Sequence, residues 1–214
     1  MCSSDLWKTV LTEAPATLAP IAPQASKTSQ LAAVAQLSRD PSDERFPLLY
    51  YSADKYGDFK FKARIRLVDG KVEQIAGIAF RIQDERNFYV IRLSRLGDNV
   101  RFYKFVNGTR SPPVGPTFRL ELNRWYELAV EAEANRLRFL VDGKEVMPPL
   151  NDSSFTIGHV GFITKSDTIA HFADARIDYH PREAVADALV REALERYPRL
   201  KGVDRKSTRL NSSH

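Results

Sequence analysis

Between Phe59 and Leu67 the chain alternates without a break: Phe59, Phe61, Ala63, Ile65 and Leu67 fall on one side, and Lys60, Lys62, Arg64 and Arg66 on the other. Successive side chains of an extended strand point to opposite faces, so this period of two buries one face, wets the other and does not suit a helix. Other apolar segments follow the same logic. Phe46–Tyr51, Gly77–Ser94, Asn99–Asn107, Trp125–Glu133, Leu137–Val141, Thr156–Thr164 and Ile169–Tyr179 are rich in branched and aromatic residues. Turn chemistry separates them at Asp69-Gly70, Gly97-Asp98, Asn107-Gly108 and Asp142-Gly143, with proline loops at 111–116 and 148–149. Short strands at this spacing, with no helical period among them, predict an all-β antiparallel sandwich of the jelly-roll type.

The flanks read differently. Residues 12–30 carry Pro15, Pro20 and Pro23 among Ala, Ser and Thr, which predicts an extended surface segment. Leu31–Leu37 suits a short helical turn or a strand. After Pro181 the period changes: Ala186, Leu189, Val190, Ala193 and Tyr197 form an apolar stripe that Pro198 ends. That stripe predicts an amphipathic helix over 181–198, packed on the sandwich or docked to a partner domain. Residues 1–6 and 206–214 resemble translated sequencing-adapter read-through, so they are expected to be non-native disordered tails on a fragment of a longer protein.

Composition narrows the function classes. A length of 214 residues supports one sizeable core, assigned here to 7–179. No apolar run approaches the length of a membrane-spanning helix. The net charge of +5 is distributed along many strands and forms no basic block, which argues against a nucleic-acid partner. Cys2 is the single cysteine, so neither an internal disulfide nor a cysteine metal cluster is available.

The hairpin at Gly77–Ser94 is the strongest candidate for recognition. A three-residue loop at Asp84-Glu85-Arg86 would pair Gln83 with Asn87, Arg81 with Tyr89 and Phe80 with Val90. One face then carries Ile78, Phe80, Ile82, Phe88 and Val90 as core. The other presents Ala79, Arg81, Gln83, Asn87, Tyr89 and Ile91, a set of amides, a cation and a ring suited to a sugar. In this register Arg92 falls opposite Ile78 on the apolar face, which implies a slipped ladder or a position beyond the rim.

Catalytic patterns are weak. Glu127, Glu131 and Glu133 share a strand face with Trp125, but the middle acid of a sandwich glucanase run is missing, which favours a solvated outer face. His159, His171 and His180 match no metal-ligand spacing. No phosphate loop, nucleophile elbow or C-x-x-C is present. Asp84 and Asp167 lie in loops, where aspartate is ordinary turn chemistry.

An ordered series of motifs carries a family likeness: 76–92 (AGIAFRIQDERNFYVIR), 98–104 (DNVRFYK), 124–128 (RWYEL), 139–144 (FLVDGK) and 158–167 (GHVGFITKSD). Together they resemble the 3-keto-disaccharide hydrolase domain family, whose members are concanavalin A-like lectin/glucanase sandwiches. The chain departs from that pattern at Phe162-Ile163, where Leu-Trp is common, and at Ala173, which leaves Asp174 alone of an acidic pair. The resemblance implies a lectin-like sandwich, and two activities are consistent with it. The first is non-catalytic carbohydrate binding through Arg81, Asn87, Tyr89, Arg92, Tyr103 and Lys165, in a longer, exported, extracytoplasmic bacterial protein. The second is hydrolysis of 3-keto-glycosides with Asp84 or Asp167 as general acid or base. A structural or sensor domain relaying to a missing partner is a third class. No cofactor is expected, and no motif supports a calcium site.

Overall fold

The computed structural model describes residues 6–13 and 30–179, together with Glu192, Glu195 and Arg196. The helix expected over 181–198 and the two expected tails otherwise lie outside the described residues. The alternating segment becomes β4 (Phe59–Asp69), in the middle of a sheet and hydrogen-bonded on both sides. The other strands are β1 (Trp7–Glu13), β2 (Gln30–Gln36), β3 (Leu48–Tyr56), β5 (Ile75–Asp84), β6 (Asn87–Ser94), β7 (Asn99–Val106) and β8 (Thr109–Arg110). They continue with β9 (Trp125–Glu133), β10 (Arg136–Val141), β11 (Lys144–Glu145), β12 (Leu150–Asn151), β13 (Gly158–Thr164) and β14 (Ile169–Tyr179).

Two antiparallel sheets result. The eight-stranded sheet runs β1-β2-β14-β4-β9-β10-β11, with β12 also paired to β10, and the six-stranded sheet runs β3-β13-β5-β6-β7-β8. The all-β sandwich expected from the spacing is therefore the observed architecture. Of the two readings open for Leu31–Leu37 the strand is the one formed, and β1 was not foreseen, because Trp7–Glu13 lacks strict alternation. The main core fills the space between the sheets with Ile65, Leu67, Ile78, Phe80, Ile91, Leu93, Phe102, Tyr126, Leu128, Phe139 and Phe172. Stacked rings tie the sheets together, Phe102 on Phe139 at 5.2 Å and Phe162 on Phe172 at 4.5 Å.

The cations of β4 face outward and meet partners on adjacent strands. Lys60 pairs with Glu131 (2.6 Å), Lys62 with Glu127 (3.0 Å) and Arg64 with Asp174 (3.3 Å). The Arg66 guanidinium lies 5.2 Å from the Trp125 ring centroid. Glu127 and Glu131 are thus cross-strand charge partners on a solvated face.

The hairpin register differs from the one expected. Asp84 pairs with Asn87 around a tighter turn, and below it Phe80 pairs with Tyr89, Ala79 with Val90, Ile78 with Ile91 and Gly77 with Arg92. A β-bulge separates the two registers, with Arg81 in the left-handed region at φ 47°. A residue inserted into one strand moves everything beyond it to the opposite face. Ile78 and Phe80 therefore join Tyr89 and Ile91 in the main core, whereas Ile82, Phe88 and Val90 lie on the outer side. The ladder has slipped, and Arg92 stands opposite Gly77 on the outer face. No helix long and apolar enough to cross a membrane occurs among the described residues.

Candidate functional site

The outer face of the six-stranded sheet carries a second, smaller apolar cluster: Ala79, Ile82, Phe88, Val90, Tyr103, Phe105 and Ile163, with Phe46, Leu48 and Tyr50 packed against it. Register explains its shape. One row across the sheet reads Tyr50, Gly161, Ala79, Val90, Tyr103, and the next reads Leu48, Ile163, Gly77, Arg92, Arg101. Small residues sit mid-sheet and larger side chains toward both edges. The glycines are needed for close approach: a Cβ at Gly161 would lie 2.6 Å from the Tyr50 Cα, and one at Gly77 would lie 2.6 Å from the Arg92 Cα.

A loop from Asp40 to Pro47 is tied down at one end of this face. The Thr164 amide donates to the Pro47 carbonyl (3.0 Å), the Ser166 amide to the Arg45 carbonyl (2.8 Å), and Arg45 pairs with Asp40 (3.4 Å). The loop brings Phe46 edge-on to Phe105 at 5.2 Å between ring centroids. Glu44, Phe46, Tyr50, Glu85, Phe88 and Phe105 then surround a cavity of about 310 Å³ on the sheet face. Carboxylates beside aromatic rings suit a polyhydroxylated ligand, since carboxylate oxygens accept hydroxyl hydrogen bonds and rings cover C–H faces. A larger cleft of about 560 Å³ at the β3 edge is walled by Leu49, Tyr56, Phe61, Phe162 and Ile177 and offers such a ligand few polar anchors.

The residues singled out in the sequence separate into two groups. Arg92, Tyr103 and Lys165 meet at the outer face. Arg92 donates to Asn99 Oδ1. Tyr103 is 3% exposed, and burial pushes its hydroxyl pKa up while the charges of Arg92, Arg110 and Lys165 pull the other way. Lys165 Nζ reaches Asp43 (2.6 Å) and Glu73 (2.9 Å). Burial opposes the Lys165 charge, but those two carboxylates outweigh it and raise the pKa.

Arg81 and Tyr89 are not on this face. Both are 0% exposed, because the bulge turns Arg81 in toward neighbouring loops and the slipped register turns Tyr89 into the core. Arg81 donates to the carbonyls of Phe155 (3.0 Å) and Gly57 (3.1 Å). Tyr89 donates to Asp152 Oδ1 (2.6 Å) and accepts from the Phe155 amide (2.9 Å). Burial, reinforced by the Asp152 carboxylate, pushes the Tyr89 pKa up to about 12. Burial also disfavours the Asp152 charge, yet Lys104 (2.5 Å) and Tyr89 outweigh it and hold that carboxyl well below the ordinary range. This network pins the loop after β12. Lys165 sits at the opposite end of β5 from Arg81, with its amide on the Ile75 carbonyl, so the expected clustering of Lys165 with Arg81 and Tyr89 does not form.

Asn87, Asp84 and Asp167 support turns. The Asn87 amide nitrogen donates to Asp84 (2.9 Å), and its oxygen accepts from the Asn107 amide (2.9 Å). Asp84 also accepts from the Arg86 amide (2.7 Å). Asp167 accepts from the amides of Lys71 (2.7 Å), Val72 (3.1 Å) and Glu73 (3.0 Å), which outweigh burial and lower its pKa. Of the histidines, His159 Nδ1 lies 2.7 Å from the Asp54 carbonyl and His171 Nδ1 lies 3.1 Å from Arg66, while His180 is outside the described residues. No group of three or more His, Cys, Asp and Glu is placed to hold a metal ion among the described residues. Sequence reasoning missed Glu44, Tyr50, Glu85 and Phe105 as cavity walls, since they come from three separate segments, and it missed Arg101 although that residue stands in one of the quoted motifs.

No family model matches the chain, so the expected 3-keto-disaccharide hydrolase family is not confirmed. A levanase of Bacillus subtilis (strain 168) is 30% identical over 105 residues, which is 49% of this chain and 15% of that enzyme. Among solved structures, the carbohydrate-binding module CBM66 from Bacillus subtilis superposes with a TM-score of 0.61 at 23% identity, covering 81% of this chain and 95% of that one. A Bacillus subtilis protein of unknown function with a galectin-like fold superposes with a TM-score of 0.51 at 11% identity, covering 82% of this chain and 90% of that one. At these identities the likeness is one of fold: the chain shares with these neighbours a β-sandwich of two antiparallel sheets.

Proposed function

We propose that this chain is a non-catalytic carbohydrate-binding module of a larger protein, and that it holds its sugar on the outer face of the six-stranded sheet. The observation that carries the reading is the cavity in which Glu44 and Glu85 stand beside Phe46, Tyr50, Phe88 and Phe105. It is supported by the sandwich shared with a carbohydrate-binding module and by the partial match to a levanase. An acid–base role for Asp84 or Asp167 in hydrolysis of 3-keto-glycosides finds less support, because both carboxylates are held by turn amides.

The test is isothermal titration against levan oligosaccharides, alongside a glycan array and a 3-keto-glucoside turnover assay. Saturable binding without turnover is expected. Replacing Glu44 and Glu85 together by alanine is expected to weaken binding about tenfold or more, as for loss of hydrogen bonds to charged groups, with the thermal midpoint little changed. Unchanged affinity in that double variant would remove the cavity from the proposal.

A further inference from the structure

The charge balance of this same face carries the reading further. Arg92 and Arg101 are direct cross-strand partners on β6 and β7, and both point outward. Like charges directly opposite each other destabilise a sheet unless something lies between or beside them. The nearby acids are otherwise engaged. Glu73 and Asp43 both bind Lys165, and Glu44 reaches Arg110 at 3.8 Å. Arg92 has neutral acceptors, the Asn99 amide oxygen and the Tyr103 hydroxyl, and Arg101 has no carboxylate within ion-pair distance among the described residues. Burial lowers the Arg92 pKa, against the pull of Tyr103 and Glu73, and the charges of Arg101 and Arg110 add smaller contributions in the same direction as burial. The opposite sheet shows the contrast, since there Lys60, Lys62, Arg64 and Arg138 each face a carboxylate.

Arg92 and Arg101 stand one row from Tyr103 on the face that carries the sugar cavity, and Arg110, paired with Glu44, lies beside them. The Arg110 guanidinium lies 5.7 Å from the ring of Phe46, a cavity wall, and 5.8 Å from the ring of Tyr103. On the outward side of β7, Tyr103 follows Arg101 and precedes Phe105, another cavity wall, whose ring centroid lies 5.8 Å away, and the Arg92 charge acts on its hydroxyl. Guanidinium groups bind planar or tetrahedral oxyanions through paired N–H donors, and do so most strongly where water is partly excluded. We propose that the carbohydrate bound here is anionic, with a carboxylate or sulfate substituent received by Arg92 and Arg101 while a ring of the sugar occupies the cavity. This rests on the carbohydrate-binding reading and specifies its ligand class.

The experiment titrates the whole chain with three oligosaccharide probes: neutral levan fragments, oligogalacturonate as the carboxylate and a carrageenan fragment as the sulfate ester. Each is measured at about 50 and 200 mM NaCl, a range over which screening changes markedly. One acidic probe is expected to bind about 10- to 100-fold more tightly than the neutral one and to weaken with salt. R101A is expected to bring its affinity down to the neutral level, and R101K to restore part of it. Circular dichroism of R101A, with R92Q as a second variant, ensures that any loss is read on folded protein. Tight binding of the neutral probe that neither salt nor R101A alters would overturn the anionic assignment and leave carbohydrate binding standing. Failure of all three probes, with a blank glycan array, would overturn both.

Discussion

Tyr89 shows how far a side chain's role depends on its surroundings. Its ring packs 5.2 Å from Phe80 in the core, while its hydroxyl bridges Asp152 and the Phe155 amide. Tyr89→Phe keeps the ring and removes the bridge, leaving two polar groups short of a partner. We expect a loss of about 1–3 kcal/mol in urea unfolding. The Tyr89 pKa rises from 10.0 to about 12, so the folded state retains the proton more strongly. Its contribution is complete below pH 10 and disappears as the pH climbs toward 12. The wild-type chain should therefore lose stability over that interval more steeply than Tyr89→Phe, measured as urea midpoints across pH 9–12. Asp167 is a second residue whose sequence position invited a chemical role and whose geometry is structural. Asp167→Ala would leave the amides of Lys71, Val72 and Glu73 without their acceptor, at a cost of about 2–3 kcal/mol.

At the scale of elements, the bulge in β5 is decisive. Strict alternation over Phe59–Leu67 placed β4 correctly, because an uninterrupted strand has one register and a period of two leaves no freedom. The hairpin Gly77–Ser94 was equally legible as a hairpin, but its faces were not. The bulge at Arg81 is a local backbone choice, stabilised by carbonyls at Gly57 and Phe155 that lie far away in sequence. Gly158 packs against that bulge so closely that a Cβ there would stand 2.7 Å from the Arg81 Cα. Gly161 plays the corresponding part under the candidate site. Gly161→Ala would force β13 against Tyr50 of β3, and we expect about 1–3 kcal/mol of destabilisation with a loss of ligand affinity from the distorted sheet face. Unchanged urea midpoints in that variant would show that the strands part without cost.

For the molecule as a whole, acid sensitivity follows from the carboxylates held low. Asp152 and Asp167 stabilise the fold fully above their ordinary value of 3.8, and that contribution fades as the pH falls below it and the folded state gives up its charge–dipole contacts. Thermal melts should be flat above about pH 7 and decline slightly below the ordinary imidazole value of 6.5, where burial and Arg66 disfavour protonation of His171. They should decline further below about pH 4, the ordinary carboxylate range. By itself the sequence determined the class: alternation, turn dipeptides and the absence of a helical period through residue 179 leave an antiparallel sandwich as the way to bury one face of every strand. It also supplied three residues, Arg92, Tyr103 and Lys165, that do share a surface. Which face they share, and that Arg81 and Tyr89 are not on it, was decided by tertiary structure. A face is defined by register, and here register depends on a bulge whose stabilising contacts come from loops across the fold. The cavity is likewise tertiary, since its walls at Glu44–Tyr50, Glu85–Phe88 and Phe105 become neighbours only when β3, β6 and β7 join one sheet.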